Sequence, residues 1–123
     1  LLHFNANPMQ LFGIPNCNTV KKARDWLASH QIAYEFHDFK KNGISQTLLE
    51  NWLTQRPWEK MVNRAGMTWR NLSDAEKAAV IDAQSAIQLM LAKPSVIKRP
   101  VLVKNGNIIG LGFDEATYIE LFK

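Results

Sequence analysis

The chain has 123 residues, of which 46% are hydrophobic and 21% charged, with 6 Gly and 5 Pro. This ordinary composition excludes a disordered, collagen-like or low-complexity protein, and the length suffices for one hydrophobic core. The formal net charge of +4 is spread over short clusters and forms no long basic block, so nucleic acid is not expected as a partner.

Compartment and redox state follow from what the sequence lacks. No apolar run approaches the ~18 residues that cross a bilayer, and the first residues do not resemble a signal peptide. We therefore expect a soluble, cytoplasmic protein with no membrane partner. The single cysteine, Cys17, has no partner for an internal disulfide, which excludes a disulfide-stapled scaffold.

Strand, helix and strand signals alternate near the N-terminus. The apolar run Gln10 to Ile14 predicts a buried strand that ends in a tight Pro-Asn loop. From Asn18 or Thr19 onward, apolar residues recur at three- and four-residue steps and predict an amphipathic helix. Alternation over Tyr34 to Asp38 predicts a second strand, parallel to the first in a βαβ unit. Cys17 lies where the first strand passes into the helix.

The middle of the chain has helical periodicity. Three helices are predicted, with Ser45, Ser73 and Ser85 as their N-caps. The second begins with the capping-box spacing of Ser73 and Glu76 and runs to about Ala83, while Pro57 and Pro94 end the other two. We interpret these helices as an insertion over residues 44–93 of a single domain, 9–123. Residues 1–8 are interpreted as a tag or extension before a native start at Met9.

The C-terminal part predicts a hairpin and a final helix. Two apolar runs, Val101 to Lys104 and Ile108 to Leu111, flank Asn105-Gly106, a pair that favours the positive φ angles of a tight hairpin turn. Asp114 is the predicted cap of the last helix. Trp26 and Trp52, at helical spacing with other apolar residues, are predicted to pack in the interior.

Several classes of site are unsupported by the sequence. His3, His30 and His37 have no ligand spacing with one another or with Cys17, so no metal site is predicted. A nucleophilic serine motif and a glycine-rich phosphate loop are also missing.

Cys17 is the candidate nucleophile because of its position. At the first turn of a helix, unpaired N–H groups and the helix dipole lower a thiol pKa and favour the reactive thiolate. Asn16, Asn18 and Thr19 surround it with polar groups. The alternative is a small buried hydrophobe, the usual role of a free cysteine.

Two arginines are candidates for an anion site beside this thiol. Arg64 lies in the polar stretch VNRAG between helices, and Arg99 directly precedes Pro100 at the entrance to a strand. Guanidinium groups bind oxyanions and carboxylates in a two-pronged geometry that lysine does not match. Each arginine could instead be an ordinary surface charge.

Four segments together carry a resemblance to a known family: GIPNCNTVKKAR, NRAGMTWRNL, MLAKPSVIKRPVL and GLGFDE. With these motifs in this order, the chain from Met9 onward resembles the ArsC/Spx family of thioredoxin-like proteins, nearest to its YffB-like branch. The resemblance implies an α/β, thioredoxin-like fold: a four-stranded mixed sheet with an all-helical insertion between βαβ and ββα halves. It also implies that Pro100 follows a cis peptide bond beside Cys17.

The resemblance to arsenate-reducing members implies roles for individual residues. Cys17 matches the nucleophile that attacks the oxyanion, and Arg64 and Arg99 match two anion-binding arginines. Glutathione and then glutaredoxin release the product in such enzymes. Gly112 stands where those enzymes have a third arginine, which counts against arsenate as the substrate.

Our main hypothesis is a monothiol, glutathione-dependent thiol reductase, an oxidoreductase with no bound cofactor. Val20 stands where a Cys-x-x-Cys pair would have its second cysteine, so any disulfide of Cys17 must be with another molecule, for which glutathione or a protein thiol is expected. The carboxylates of glutathione could pair with Arg99, Arg64 or Lys21. Arsenate reduction coupled to glutaredoxin, an Spx-like adaptor that binds RNA polymerase, and an inert thioredoxin-like relic remain alternatives.

Overall fold

A computed structural model describes residues 9–123, so the interpretation of residues 1–8 and of Met9 as a start lies outside the described residues. The chain forms two compact units. Among the described residues, the first combines residues 9–38 with Arg99–Lys123, and the second is the continuous segment Phe39–Lys98. The expectation of a single domain with its insertion at 44–93 stays a prediction.

The first unit contains a four-stranded mixed sheet, as predicted. Its strands are β1 Met9–Gly13, β2 Glu35–Asp38, β3 Val101–Lys104 and β4 Asn107–Leu111. Their spatial order is β2-β1-β3-β4. β1 pairs in parallel with β2, while the β1–β3 and β3–β4 pairs are antiparallel. The predicted parallel pairing of the first two strands is therefore confirmed, and the fold is of the thioredoxin type.

The helices of the described residues, in chain order, are α1 Asn18–Ser29, α2 Phe39–Asn42, α3 Gln46–Gln55, α4 Trp58–Met61, α5 Met67–Arg70, α6 Asp74–Ala78, α7 Ala83–Ala92 and α8 Glu115–Leu121. A short 3₁₀ helix, Pro94–Val96, follows α7. Of these helices, only α1 and α8 belong to the first unit.

The apolar stripe of α1 forms the core of the first unit together with the sheet. Ala23 and Leu27, one turn apart on this helix, cluster with Leu11 of β1, Leu102 of β3 and Tyr118 of α8, and all are almost completely buried. Trp26 joins this cluster, and Trp52 is fully buried in the second unit. The predicted interior packing of both tryptophans is confirmed.

The hairpin and the final helix also agree with their local signals. Asn105 and Gly106 adopt φ angles of 54° and 79°, as a two-residue hairpin turn requires. β4 begins one residue earlier than predicted, at Asn107. The Asp114 side chain accepts a hydrogen bond from the Thr117 N–H and caps α8.

The helices of the second unit depart from the predictions at two places. α6 has its predicted capping box at Ser73 but ends at Ala78, not near Ala83. Ser85 is not the cap of α7, because Asp82 takes that position and Ser85 completes a second capping box three residues later. The Asp82 side chain accepts from the Ser85 N–H at 2.9 Å, so the chain must leave the helical path before residue 82.

Three short helices were not predicted. α2, α4 and α5 have four residues each, too few for an apolar period to become visible in the sequence. The predicted position of Arg64 between helices is nevertheless correct, since it lies between α4 and α5.

Candidate active site around Cys17

The approach of β1 to α1 determines where Cys17 lies. A Cβ atom added at Gly13, the last residue of β1, would come within 2.8 Å of Val20 Cγ2. Val20 is completely buried on the first turn of α1. Glycine at position 13 thus allows the helix start to pack closely on the end of the strand, and Cys17 lies in the short connection between them.

Cys17 is the N-cap residue of α1. Its backbone is extended, with φ −146° and ψ 123°, and its carbonyl accepts the first helical hydrogen bond from the Lys21 N–H at 2.9 Å. The N–H groups of the first turn have no carbonyl partner within the helix, as at any helix start. The N–H groups of Thr19 and Val20 lower the pKa of the Cys17 thiol. The thiol nevertheless forms no capping hydrogen bond of ordinary geometry.

Arg99 is the charged neighbour of the thiol. Burial of the half-buried Cys17 raises its pKa, but four favourable effects outweigh this cost. They are the Val20 N–H, a hydrogen bond from the Arg99 side chain, the positive charge of Arg99 and the Thr19 N–H. The net pKa of Cys17 lies below the ordinary value of a thiol, which enlarges the thiolate fraction at neutral pH.

The backbone beside Arg99 has the conformation that the resemblance implied. The Arg99–Pro100 peptide bond is cis. The Pro100 carbonyl accepts a hydrogen bond of 2.9 Å from the N–H of Gly112, which follows β4. Gly112 adopts φ +80°, a left-handed conformation that strains any residue with a side chain. An arginine at this position would therefore be strained, which gives a backbone reason for the glycine.

The remaining predicted site residues of the first unit surround the helix start. Asn16, Asn18 and Thr19 are exposed, and so is Lys21. The Lys21 ammonium forms an ion pair of 2.7 Å with Asp25 one turn further along α1. These residues thus lie around Cys17 by their positions in the chain, and the first turn of the helix contains no acidic residue.

Arg64 belongs to the second unit, unlike the other predicted site residues. Its guanidinium carbon lies 5.6 Å from the centroid of the Trp58 ring, within cation–π range. The Asn63 side chain accepts a hydrogen bond from the Ala65 N–H and shapes the loop that carries Arg64. The contact of Trp58 with Arg64 was not predicted, because Trp58 lies at the start of the unpredicted helix α4 and no periodic signal relates it to Arg64.

Val20 was predicted only as part of the apolar face of α1, and its influence on the thiol was not predicted. Its N–H is the largest single influence that lowers the Cys17 pKa. The signal was present in the sequence, because Val20 is the third residue after the N-cap, where the N–H has no carbonyl partner within the helix and lies near the capping side chain.

The structure shows little that would favour other kinds of site. Among residues 9–123, no three His, Cys, Asp or Glu side chains come together as metal ligands would. Within the same residues, no helix is both long enough and apolar enough to span a bilayer.

Comparison with known proteins identifies relatives over nearly the whole chain. A solved structure named YFFB is 45% identical, with a TM-score of 0.81, and the match covers 91% of this chain and 96% of that one. An arsenate reductase (ArsC) related protein from Brucella melitensis is also 45% identical, with a TM-score of 0.77 and coverage of 98% and 99%.

Sequence relatives agree with this result. A Haemophilus influenzae protein is 38% identical over 112 residues, which are 91% of this chain and 96% of the relative. The Global transcriptional regulator Spx of Streptococcus pyogenes is 27% identical over 108 residues, or 85% and 78% of the two chains. The predicted proximity to YffB is thus confirmed, with Spx more distant. Residues 12–121 match the sequence model of the ArsC family. The chain therefore belongs to the ArsC family.

Proposed function

We propose that this protein is a glutathione-dependent thiol reductase in which Cys17 is the nucleophile. The observation that carries the proposal is the pairing of Cys17 with Arg99 at the start of α1, where the thiol pKa is lowered. A half-buried thiolate with a guanidinium beside it is a typical arrangement of reactive cysteines.

The reaction would proceed in two exchanges. The Cys17 thiolate attacks a sulfur of a disulfide or glutathionylated substrate, an S–S bond to Cys17 forms, and the substrate thiolate leaves and takes up a proton. A glutathione thiolate then attacks the mixed disulfide. If glutathione is the group held on Cys17, this second step releases glutathione disulfide and restores the Cys17 thiolate, so glutathione supplies both electrons.

Arg99 would have two tasks in this scheme. Its hydrogen bond and charge favour the Cys17 thiolate before attack and again when Cys17 leaves the mixed disulfide. Glutathione also carries two carboxylates, and we propose that one of them pairs with Lys21. The ion pair of Lys21 with Asp25 is exposed and therefore weak, so a carboxylate can displace it.

Titration of the thiol tests the carrying observation. Cys17 absorbance or alkylation rate is followed against pH, with Cys17→Ser as the blank. Arg99→Gln should raise the apparent pKa and slow alkylation at neutral pH. Arg24→Gln is the matched control, because it removes the same charge from a side chain that bonds Tyr34 and stacks on Phe36. Equal titration curves for wild type and Arg99→Gln would refute the role of Arg99.

Turnover tests the proposed activity itself. With a small glutathionylated peptide and glutathione as co-substrates, glutathione disulfide should accumulate with wild type and not with Cys17→Ser. Mass spectrometry of the wild type with limiting glutathione should show one glutathionyl adduct on Cys17. Full turnover by Cys17→Ser would end the proposal.

Arsenate reduction is the second candidate, favoured by Arg99 beside the nucleophile and by the similarity to an ArsC-related protein. In that reaction Cys17 would attack the oxyanion, and glutathione followed by glutaredoxin would release the product. The test is whether arsenate stimulates glutathione consumption, with a larger loss in Arg99→Ala than in Lys21→Ala. Equal losses would contradict this geometry, and Gly112 leaves one positive charge fewer than arsenate reductases have.

An adaptor function without chemistry is the remaining candidate, and it rests on the similarity to Spx regulators. A protein of this kind would bind RNA polymerase whether or not Cys17 is present. Binding of purified RNA polymerase by both wild type and Cys17→Ser, together with absence of turnover, would favour it over the reductase.

A further inference from the structure

A groove lies in the first unit at the end of α1 that is remote from Cys17. It has a volume of about 390 Å³ and is lined by Trp26, His30, Ile32, Ile119, Phe122 and Lys123; we call it the α1–α8 groove. α1 has 12 residues, so its two ends are about 18 Å apart. Cys17 is at the other end of this helix, and the groove is therefore distinct from the candidate active site.

The walls of the α1–α8 groove are mainly aromatic and aliphatic. Trp26 and Phe122 lie with ring centroids 5.7 Å apart, and the His30 ring stacks on Trp26 at 3.8 Å with an interplanar angle of 21°. Ile119 is 48% exposed although it is one of the larger apolar residues. These side chains form an apolar surface that is open to a ligand from solvent.

The polar atom of Trp26 lies inside the wall of the α1–α8 groove. Trp26 is only 7% exposed, and its Nε1 is inaccessible to solvent. The His30 ring stacks on the indole, and the His30 Nδ1 donates to the Trp26 carbonyl at 2.8 Å. Trp26 therefore contributes an apolar surface to the groove.

A positive charge stands at the rim of the groove. Lys123 lines the groove, and its ammonium pairs with Glu120 at 2.6 Å. Both side chains of this pair are about two-thirds exposed, so the pair contributes little and the ammonium can turn toward an anion.

We propose that the α1–α8 groove binds a small organic anion with an apolar or aromatic body. The body packs against Trp26, Ile119 and Phe122, and the negative charge faces Lys123. The volume falls within the range of about 300–1,000 Å³ that is typical of small-molecule sites. This binding activity is independent of the proposed reductase chemistry.

A matched pair of fluorescent probes tests the proposal in the full chain carrying Cys17→Ser. This variant lacks the proposed nucleophile, so absence of probe binding would not count against the reductase activity. Anilinonaphthalene sulfonate has the required apolar body and anion, while N-phenylnaphthylamine lacks the anion. The sulfonate should bind with one site per chain, and Lys123→Gln should weaken the sulfonate without weakening the neutral probe. Equal effects on both probes would overturn the role assigned to charge.

The location is tested by one substitution at two positions of α8. Ile119→Gln should raise the Kd of the sulfonate about tenfold, because a contact face of the groove is lost. Leu121→Gln is the control, since Leu121 is an exposed apolar residue of the same helix that does not line the groove. A Kd that rises equally in both variants would overturn the site.

Amide chemical shifts and sedimentation complete the test. Sulfonate binding should shift residues at the end of α1 and in α8 and leave those around Cys17 unchanged. Shifts elsewhere would overturn the proposal, as would absence of binding. Absence of binding combined with dimerisation that Ile119→Gln abolishes would identify the groove as an interface between copies of this chain.

Discussion

Gly13→Ala should disturb both the fold and the candidate active site. The added Cβ would meet Val20 Cγ2 at 2.8 Å and Val20 Cγ1 at 3.4 Å. Val20 cannot easily move away, because it is completely buried and a β-branched side chain in a helix has one strongly preferred rotamer. The conflict must therefore be relieved by a shift of α1 relative to β1.

The magnitude follows from overpacking and chain entropy. Forcing an extra methyl into a packed core costs about 1–3 kcal/mol. The smaller entropy of the unfolded alanine chain offsets about 0.4–1 kcal/mol of this cost. We expect a net loss of about 1–2 kcal/mol in the free energy of unfolding, or a Tm lower by about 4–8 °C.

Denaturant unfolding and a double-mutant cycle measure this effect. Val20→Ala alone should cost about 2 kcal/mol through lost burial and a cavity. The double variant should be less destabilised than the sum of the two single variants by at least about 1 kcal/mol, because the methyl group added at position 13 then occupies vacated space. Gly110→Ala in β4 is the control, since its Cβ would come no closer than 3.4 Å to the nearest side chain.

The same variant connects packing to chemistry. The Val20 N–H lowers the Cys17 pKa, so a displaced first turn should raise this pKa and slow alkylation at neutral pH. The double variant should recover part of the lost reactivity. Unfolding free energies of Gly13→Ala within about 0.5 kcal/mol of wild type, or strict additivity in the cycle, would refute the argument.

Three further predictions concern other parts of the chain. Tyr118→Phe should leave stability unchanged or raise it by up to about 1 kcal/mol in denaturant melts, because the buried hydroxyl has no hydrogen-bond partner among the described residues. Burial raises the Tyr118 pKa, so the neutral phenol favours the folded state and wild type should lose stability as pH rises above 10.0, a slope that the Phe variant lacks. Gly112→Ala should destabilise by about 1–2 kcal/mol because of its φ of +80°, and an unchanged Tm would contradict this strain. Asp82→Ala should cost about 1 kcal/mol and exceed the loss in Ser85→Ala, since Asp82 is the cap of α7 and Ser85 its reciprocal partner; the opposite order would restore Ser85 as the cap.

Turns and helix caps were predicted correctly where both partners of the interaction lie within one turn of the chain. The Asn105-Gly106 turn, the Ser73–Glu76 capping box and the Asp114 cap all appear where the sequence predicts them. The error at Ser85 is of the same local kind, because Asp82 and Ser85 are both capping residues and only the direction of their hydrogen bonds decides which begins the helix. Helices of four residues cannot be predicted in this way, because they make little more than one turn and show no repeated apolar spacing.

For the candidate site, too, local features were predictable from the sequence and contacts between distant segments were not. Residue types and spacing alone place Cys17 at the start of a helix that follows a strand, and helix-end electrostatics then make its thiol a candidate nucleophile. That Arg99 donates a hydrogen bond to this thiol, and that β1 approaches α1 closely enough to require Gly13, depends on the folded chain. These contacts join distant segments through β1–β3 pairing and core packing, which no local pattern encodes. The sequence thus specifies the strands, the longer helices and the reactive group, while tertiary packing selects the charge beside the thiol.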